Sequence, residues 1–474
     1  MKIVHHRQIE RLRDALQGPT PSLGLLRGPG GCGKAAVVGE ATREMDVVRY
    51  RAAPLPDPDH RALVIERLGP WGAGLAPTDD WPRIFDRLLS RAAERRETLR
   101  LVLEEFPLLV EARPKLLREV ERFWSGVRAH GLPVHLVIAG SDGPVLDELR
   151  REEGAVAGWI GADVFVTPLG PREVGALFPG YGQRDRLLAW AIFGGLPRHL
   201  GACDPDVSLA TNVRQAILSA DARLLHEGTE RLRLELQSPA RYASLLRTLA
   251  SGRREWGEIL ASTADFAGGG QMAPYLSRLQ GMGLVESEAS LDAAPGARQR
   301  RYRIRDPFLV FWYRFVLPHL TDLAAGMERE VWRRHVRPAL DDHAALVFPL
   351  ACRDHLLRHA HETLGADARA TGGLWGAGYD IEPAGTLRTG AAVYGRALWG
   401  GGRVPETTDS VLQEEIRRTR YGFGKEARLR VVFATDGFAP ALVRRAARSD
   451  HLHLLGPGDL LGEPSGPASR RASP

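Results

Sequence analysis

The sequence predicts an α/β multidomain protein, and three observations support this fold class. Short apolar strands alternate with helical patterns through the first 200 residues, as expected for a parallel sheet with crossover helices. A glycine-rich stretch, LRGPGGCGKAAV at residues 25–36, lies where a strand meets a helix. From residue 240 a pattern of three helices and a hairpin indicates a separate winged helix-turn-helix.

The elements follow in order along the chain. A parallel-sheet domain that contains the glycine-rich stretch as a candidate phosphate-binding loop (P-loop) is predicted over 1–204, with strands at 22–28, 47–52, 99–106, 133–141 and 163–169. A helical connector (205–236), a winged helix (237–318), a further α/β domain (319–462) and a disordered tail (463–474) complete the prediction. We find no internal repeat in the sequence.

Composition limits the classes of protein to consider. The chain has 474 residues, 44% hydrophobic and 26% charged, with a formal net charge of +6. No apolar run approaches the ~18 residues of a membrane helix, and no signal-peptide core follows the N-terminus. Cys32, Cys203 and Cys352 are too far apart for a disulfide framework. We therefore expect a cytoplasmic protein without a membrane partner.

The glycine-rich stretch contains most of a phosphate-cradling loop, in which successive backbone N–H groups and a lysine face phosphates. It is followed by Ala35, where a serine or threonine would hold Mg²⁺. An incidental glycine-rich turn is the alternative, but lysine is scarce in this arginine-rich chain, which makes Lys34 informative. The predicted nucleotide-binding residues are Gly28, Gly30, Gly31, Cys32, Gly33, Lys34 and Ala35.

A second acidic element lies in LVLEEF, where an apolar strand ends at Glu104 and Glu105. In P-loop proteins the first acidic residue orients the magnesium shell and the second polarises the attacking water. Glu104 stands where aspartate is usual, so its carboxylate reaches one methylene further. The alternative is two solvated glutamates at a strand end.

These motifs resemble a known family: the archaeal-type, STAND-related P-loop ATPases that carry a winged helix and a C-terminal restriction-endonuclease-like domain of unknown function. The similarity extends over nearly the whole chain, through LVLEEFPLL, LVIAGS, AIFGGLPRHL, IRDPFLVFWYRFVLP and DGFAPAL. It implies a small lid in the domain 1–204 at AIFGGLPRHL, a polar sensor at Ser141, and an arginine near 158 where the chain has Trp159. With Ala35 and Glu104, these departures predict that ATP or ADP still binds, that the Mg²⁺ site is weakened, and that the chain is at most a weak ATPase.

The resemblance also places a nuclease-like metal site in the last domain. Asp380, with Glu382 nearby, matches the acidic position of that site. The next strand, however, has Gly395 and Ala397 instead of Glu-x-Lys, and the preceding helix has Pro349 where the family often has glutamate. We expect Asp380 to be a remnant ligand and nuclease activity to be absent. His355 and His359, one helical turn apart, are either a solvated pair or a zinc-ligand pair.

The predicted winged helix would contact double-stranded DNA. Its third helix, GGQMAPYLSRLQGMG, presents Gln271 and Arg278, while Leu276 and Leu279 pack inward. Alternation in the wing turns its arginines outward towards phosphates, and the candidates are Arg298, Arg300, Arg301 and Arg303. A winged helix that binds protein is the alternative. The aromatic residues at 308–315 have the helical spacing of a core, with a base-stacking platform as the alternative.

Three functions remain open from the sequence. The first is a nucleotide-binding regulatory or effector protein that binds DNA and has an inactive nuclease-like domain. The second is an active ATPase of a defence or mobile-element system, and the third is a nucleotide-independent structural adaptor. A protein partner or a homo-oligomer is compatible with each of them.

Overall fold

The computed structural model describes residues 5–94, 97–141, 143–151, 157–233, 239–424 and 427–463. The predicted disordered tail lies outside the described residues, apart from Glu463. The chain divides into two compact units, Met1–Pro168 and Leu169–Pro474. No helix among the described residues is both long and apolar enough to cross a membrane.

The first unit contains a five-stranded parallel sheet in the order β2-β3-β4-β1-β5. Its strands are β1 Ser22–Arg27, β2 Val48–Arg51, β3 Leu99–Glu104, β4 Val134–Gly140 and β5 Ile160–Phe165. Its helices are α1 His6–Gln17, α2 Lys34–Ala41, α3 Asp57–Leu68, α4 Trp81–Glu94, α5 Phe106–Ala112, α6 Leu116–Ala129 and α7 Pro144–Arg150. Every residue of β4 is buried, as expected for a parallel sheet covered on both faces. The predicted parallel α/β fold is confirmed.

Large aromatic side chains fill the space between this sheet and the helices on one side. Trp81, Phe85, Phe123 and Trp124 are all buried in one cluster with residues of the strands. The rings of Phe85 and Phe123 stack with their centroids 4.9 Å apart. They come from α4 and α6, so the apolar faces of these two helices meet in the core.

The second unit begins with helices and a hairpin. Its first elements are α8 Pro171–Leu177, α9 Gln183–Phe193, α10 Pro197–Leu200, α11 Leu209–Val213, α12 Glu227–Arg233, α13 Pro239–Ala250, α14 Trp256–Ser262, α15 Gly269–Gly281, β6 Val285–Glu288 and β7 Arg301–Ile304. Strands β6 and β7 pair antiparallel. Helices α13 to α15 and this hairpin follow in the order predicted for a winged helix.

Two successive segments then follow the same path. Each has the sequence W-x-R-x-V-x-P-x-L and passes from a π-helical turn, at Trp312–Val316 or Trp332–Val336, through a 3₁₀ turn into a helix. The prediction that the sequence has no internal repeat was therefore wrong. The two segments share few identical residues, and the repeat becomes apparent only because their backbones follow the same path. The helices are α16 Pro307–Phe311, α17 Leu320–Ala324, α18 Glu328–Val331 and α19 Leu340–Leu364. The aromatic residues at 308, 311, 312 and 315 are buried.

The last part of the chain forms a mixed five-stranded sheet in the order β12-β11-β10-β9-β8. Strands β8, β9 and β10 are antiparallel, whereas β10, β11 and β12 are parallel. The elements are β8 Ala368–Gly376, β9 Tyr379–Leu387, β10 Ala392–Leu398, α20 Thr407–Arg418, β11 Arg428–Ala434, α21 Pro440–Ala447, β12 Leu452–Leu455 and α22 Pro457–Leu461.

The division between the units differs from the predicted domain boundary at 204. Residues 169–204 belong to the second unit. The Trp190 side chain donates to the carbonyl of Leu169 at 3.2 Å, and the ring of His343 in α19 lies 2.9 Å from the carbonyl of Ala191. The buried face of α9 therefore packs within the second unit, a long-range contact that local sequence patterns do not contain.

Candidate nucleotide site

The loop between β1 and α2 has a backbone that requires glycine. Gly28, Gly31 and Gly33 have φ angles of 148°, 81° and 98°, in the region that favours glycine. A Cβ atom at Gly28 would lie 2.2 Å from the carbonyl oxygen of Val166, so no larger residue fits there. Gly30 has open space beside it, and Gly33 caps the start of α2. The loop thus leads directly into a helix N-terminus, where phosphates bind favourably.

Lys34 lies inside this loop. Its side chain is buried, and Nζ donates hydrogen bonds to the carbonyl oxygens of Gly28 at 2.8 Å and Pro29 at 3.0 Å. The ammonium charge is thus held against the backbone that would surround a phosphate. Burial raises the pKa of the Cys32 thiol, so this cysteine contributes neutral packing rather than a thiolate. Ala35, the second residue of α2, offers only a methyl group.

The two glutamates at the end of β3 each face an arginine of the neighbouring strand β2. Glu104 is buried, and its Oε1 accepts from Arg49 Nη2 at 2.7 Å and Nε at 3.2 Å. Glu105 Oε1 lies 3.9 Å from Arg51 Nη2, and its side chain is 31% exposed. The acidic pair is therefore opposed by two positive charges within the chain, and the buried member holds its arginine more closely.

Glu105 also has an unusual backbone. Its φ of 53° and ψ of 40° make it the one non-glycine residue with positive φ among the residues described. A left-handed conformation costs a non-glycine residue about 1 kcal/mol or more, and such strain is concentrated at functional sites. The conformation turns the chain sharply from β3 into α5 and leaves the Glu105 carboxylate partly accessible.

The sheet order brings these groups to one edge. Strand β4 lies between β3 and β1, with Leu103 opposite Ile138 and Arg27 opposite Gly140. Because all these strands are parallel, Ser141, the glutamate pair and the P-loop follow their carboxyl ends at the same edge.

Trp159 lies elsewhere, in a 3₁₀ turn just before the start of β5. Position 159 is consequently at the opposite edge of the parallel sheet. An arginine here would not face the phosphate loop of its own chain. The absence of an arginine at 159 therefore says less about hydrolysis than the family resemblance implied.

The predicted remnant metal ligand, Asp380, forms an ion pair instead. Its Oδ1 accepts from Arg301 Nη1 at 2.8 Å, and the Arg301 guanidinium also lies 4.7 Å from the centroid of the Trp375 ring. A Cβ at Gly395 would lie 2.6 Å from the carbonyl oxygen of Pro383, so β10 has no room there for an acidic ligand. No cluster of three or more metal-ligating side chains occurs among the described residues.

Glu382, two residues further along β9, is surrounded by arginines. Its carboxylate lies 2.8 Å from Arg254 Nη1, 3.2 Å from Arg303 Nη1 and 2.9 Å from Arg353 Nη2. Burial alone would raise the pKa of Glu382, but Arg353, Arg254 and Arg303 outweigh it and hold this pKa below its usual range. Arg353 also binds both carboxylate oxygens of Glu288, at 2.7 and 2.9 Å.

These ion pairs give two of the predicted DNA-binding arginines another role. Arg301 and Arg303 both contact β9 of the C-terminal sheet, whereas Arg298 and Arg300 are exposed. Arg300 donates to the side chain and carbonyl of Ser287 at 3.1 and 3.0 Å. The alternation predicted for β7 correctly turns its arginines away from the buried Ile304, but the surface they meet is protein.

The segment that joins β6 and β7 is also packed on the C-terminal sheet. Leu291 N–H donates to the carbonyl of Gly373 at 3.0 Å, and the Leu291 side chain contacts a buried cluster of this sheet. Asp292 Oδ2 accepts from Tyr379 Oη at 2.7 Å and from Thr419 Oγ1 at 2.5 Å. The hairpin therefore belongs to the core of the second unit.

Helix α15 retains a free polar face. Gln271 and Arg278 are exposed, while Met272, Leu276 and Leu279 are buried, as the helical spacing predicts. Gln271 Oε1 accepts from the backbone of residue 267 at 3.2 Å. The helix contains no aspartate or glutamate, so a polyanion could approach this face without like-charge repulsion from α15 itself.

Comparison with known proteins links the chain to an archaeal and bacterial group. A family model described as "Archaea bacterial proteins of unknown function" matches residues 312–394. An uncharacterized protein of Methanocaldococcus jannaschii is 21% identical over 252 residues, or 52% of this chain and 54% of that protein. The chain thus spans about half the length of the curated relative that it matches.

Solved structures with some likeness include two archaeal proteins. A Walker-type ATPase of Pyrococcus abyssi is 16% identical with a TM-score of 0.47, over 65% of this chain and 95% of the other. The ORC2 protein of Aeropyrum pernix, solved in ADPNP-ADP complexes, is also 16% identical, with a TM-score of 0.44 over 69% and 95% of the two chains. The family match lies after the parallel sheet and its glycine-rich loop in the chain, which is the order that the resemblance to archaeal P-loop ATPases with a C-terminal domain of unknown function implies.

Sequence reasoning missed the arginines that oppose the acidic residues. Arg49 and Arg51 alternate along β2, a signal visible in the sequence as VRYR, but their partners depend on which strand lies beside β2. Arg254 and Arg353 come from α14's preceding loop and from α19, far from Glu382 in the chain. Without the fold, no local motif identifies either pairing.

Proposed function

We propose that this chain is a nucleotide-binding regulatory or effector protein. It would hold ATP or ADP in the loop at 28–34, contact double-stranded DNA through α15, and use its C-terminal sheet without nuclease chemistry. The observation that carries the nucleotide assignment is the position of Lys34, whose buried ammonium lies within the glycine loop at the N-terminus of α2.

The residues fit the nucleotide better than they fit Mg²⁺. The loop supplies backbone N–H groups, a helix N-terminus and the Lys34 charge, which together bind a polyphosphate. The Ala35 side chain has no oxygen for a metal, and the Glu104 carboxylate is already bound by Arg49. A bound Mg²⁺ would neutralise phosphate charge. We propose that nucleotide binding depends on this cation less than is usual for P-loop proteins.

Calorimetric titration with ATP, with and without Mg²⁺, tests this assignment. Lys34→Ala should weaken ATP binding at least about tenfold, or ~1.4 kcal/mol, through loss of a charge-assisted phosphate contact. The matched control is Lys115→Ala, which removes an exposed lysine just before α6 and should leave affinity unchanged. Equal ATP affinity in wild type and Lys34→Ala would exclude the loop as the nucleotide site.

Slow ATP hydrolysis is a second candidate, which the backbone of Glu105 favours. The Glu105 carboxylate is partly exposed, its backbone is strained, and it lies at the same edge of the sheet as the P-loop. Such a group is suited to orient water. A phosphate-release assay should detect turnover well below one per second, lost in Glu105→Gln. A wild-type rate of several per second, lost in the same variant, would instead establish an active ATPase.

The DNA proposal is narrower than the sequence alone suggests. Helix α15 presents Gln271 and Arg278 without a carboxylate, and Arg298 and Arg300 are exposed in the segment between β6 and β7. Binding to duplex DNA should weaken with salt, and Arg278→Ala should flatten the log-log slope by roughly 0.9 if it contacts one phosphate. Arg329→Ala, a change of the same charge on α18, is the control. Binding without salt dependence would favour a protein partner.

A nuclease-like domain without activity fits the arrangement around Asp380. Arg301 holds its carboxylate, and the glycine at 395 cannot be replaced by an acidic ligand without displacing Pro383. Incubation of DNA with the protein and Mg²⁺ or Mn²⁺ should therefore give no cleavage. Metal-dependent cleavage that disappears in Asp380→Ala would refute this part of the proposal.

A further inference from the structure

An aromatic side chain stands exposed in a loop of the C-terminal sheet. Phe423 is 85% exposed, the largest exposed fraction among the described large apolar residues that face solvent. It follows α20 in the sequence Tyr-Gly-Phe-Gly, at residues 421–424. A single exposed apolar side chain is common on protein surfaces, so the case for binding rests on the groups that surround this ring.

The loop is held in place on both sides of this phenylalanine. Tyr394 Oη donates to the carbonyl of Tyr421 at 2.5 Å, and the Phe423 N–H donates to the carbonyl of Arg420 at 3.1 Å. Gly422 has a φ of +67°, and a Cβ there would lie 2.6 Å from both Ala392 Cβ and Tyr394 Oη. Because Gly422 has no side chain, the loop can pack against β10, and the ring of Phe423 remains in solvent.

Three arginines lie at the same edge of the sheet. The Arg428 guanidinium is 6.0 Å from the centroid of the Phe423 ring, and Arg428 pairs with Ala392 at the start of β10. Arg420 is in the turn that precedes Phe423, and Arg388 begins the turn between β9 and β10. All three are exposed, and none forms an ion pair within the described part of the chain. The backbone carbonyl of Asp367 accepts from the Arg388 N–H at 2.8 Å, so among the described residues this acidic residue neighbours Arg388 in the backbone.

We propose that this edge binds single-stranded nucleic acid. A base would stack on Phe423, and the guanidinium groups of Arg388, Arg420 and Arg428 would contact the adjoining phosphates. Aromatic rings stack on any base, whereas unpaired guanidinium groups favour a chain of phosphates, so the combination suits a flexible strand with accessible bases. An acidic peptide would use the charges but not the exposed ring.

This surface is separate from those considered above. Gly422, the residue before Phe423, lies beside Ala392, the first residue of β10, which pairs with Thr386 near the end of β9. Asp380 is at the other end of β9, and the proposed duplex-binding residues are on α15. The proposal therefore does not depend on nucleotide binding or on the DNA contact of α15.

The experiment is a fluorescence anisotropy titration of the full chain with labelled oligothymidine. Phe423→Ala should weaken binding about tenfold or more, as expected for the loss of one stacked base, while Phe423→Tyr should keep near wild-type affinity. Arg388→Ala and Arg420→Ala should each flatten the log-log salt slope by roughly 0.7. Because all four substitutions are at exposed positions, the variants should unfold at the wild-type urea concentration.

Matched controls separate this surface from general exposure or charge. Leu357→Ala removes a 56% exposed apolar side chain on α19, and Arg329→Ala removes an exposed charge on α18. Both should bind oligothymidine as wild type does. The proposal is overturned if Phe423→Ala binds with unchanged affinity. It is equally overturned if Phe423→Ala converts an oligomer to a monomer while oligothymidine binding persists, since the loop would then be a contact between copies of the chain.

Discussion

The ion pair between Arg49 and Glu104 allows a specific prediction about Mg²⁺. Arg49→Ala removes the guanidinium that donates to Glu104 Oε1 at 2.7 and 3.2 Å. Glu104 is only 5% exposed, so water replaces that partner incompletely. We expect the variant to be less stable without metal and to bind Mg²⁺ with ATP more tightly than the wild type does.

The structure sets the size of both effects. Leaving a buried carboxylate without its partner costs roughly 1–3 kcal/mol. The Arg49 side chain is 35% exposed, so solvent screening places the expected loss of unfolding free energy at the lower end, about 1–2 kcal/mol. If Mg²⁺ recovers most of this by taking the place of the arginine, its affinity in the presence of ATP should rise about tenfold.

Urea unfolding and calorimetric titration, each with and without Mg²⁺-ATP, measure these quantities. Arg51→Ala is the control, because that guanidinium is 63% exposed and 3.9 Å from Glu105, and its loss should change stability by less than ~0.5 kcal/mol. If Mg²⁺ stabilises wild type and Arg49→Ala equally, Glu104 is not part of the metal environment and the reasoning fails.

Three further predictions concern other sites. Ala35→Ser adds a hydroxyl near the start of α2 and should tighten Mg²⁺-dependent ATP binding several-fold in calorimetry; equal affinity with and without Mg²⁺ would contradict it. Gly395→Ala places a Cβ 2.6 Å from Pro383 O and should lower the free energy of unfolding by about 1–3 kcal/mol, whereas Gly257→Ala, in open space, should not. Burial lowers the pKa of His343 from 6.5 to about 4, so as the pH falls the unfolded chain takes up a proton before the folded chain does. The free energy of unfolding should therefore decrease as the pH falls from about 6.5 to about 4. Unfolding measured against pH should show a loss of roughly 3 kcal/mol from this group, absent in His343→Gln; identical pH profiles would refute it.

Local patterns predicted the elements of the first unit well. The run at 22–28 is β1 Ser22–Arg27, and the run at 133–141 is β4 Val134–Gly140. Their apolar stretches are bounded by turn residues, so the signal lies within a few positions of the strand itself. The glycine-rich turn between β1 and α2 was predictable for the same reason, because its glycines and Lys34 are contiguous.

Pairings between distant segments could not be predicted. Strand order decides that Arg49 faces Glu104, and that order depends on crossovers that no short window contains. Alternation places Arg303 on the face of β7 opposite Ile304, but that face is covered by a sheet that begins more than sixty residues later, so Arg303 does not face solvent as predicted. The three arginines around Glu382 come from three separate segments, so their association follows from tertiary packing.

The seating of the hairpin on β8 has a consequence for sequence variation. A Cβ at Gly372 would lie 3.0 Å from the Leu291 side chain, and Asp292 is hydrogen-bonded to Tyr379 and Thr419. A substitution in the hairpin segment or in the C-terminal sheet would remove space or a hydrogen-bond partner from the other. We therefore expect the sequences of these two segments to change together among relatives. A chimaera that exchanges only residues 285–304 between distant relatives should consequently misfold, whereas one that transfers both segments should retain a common core.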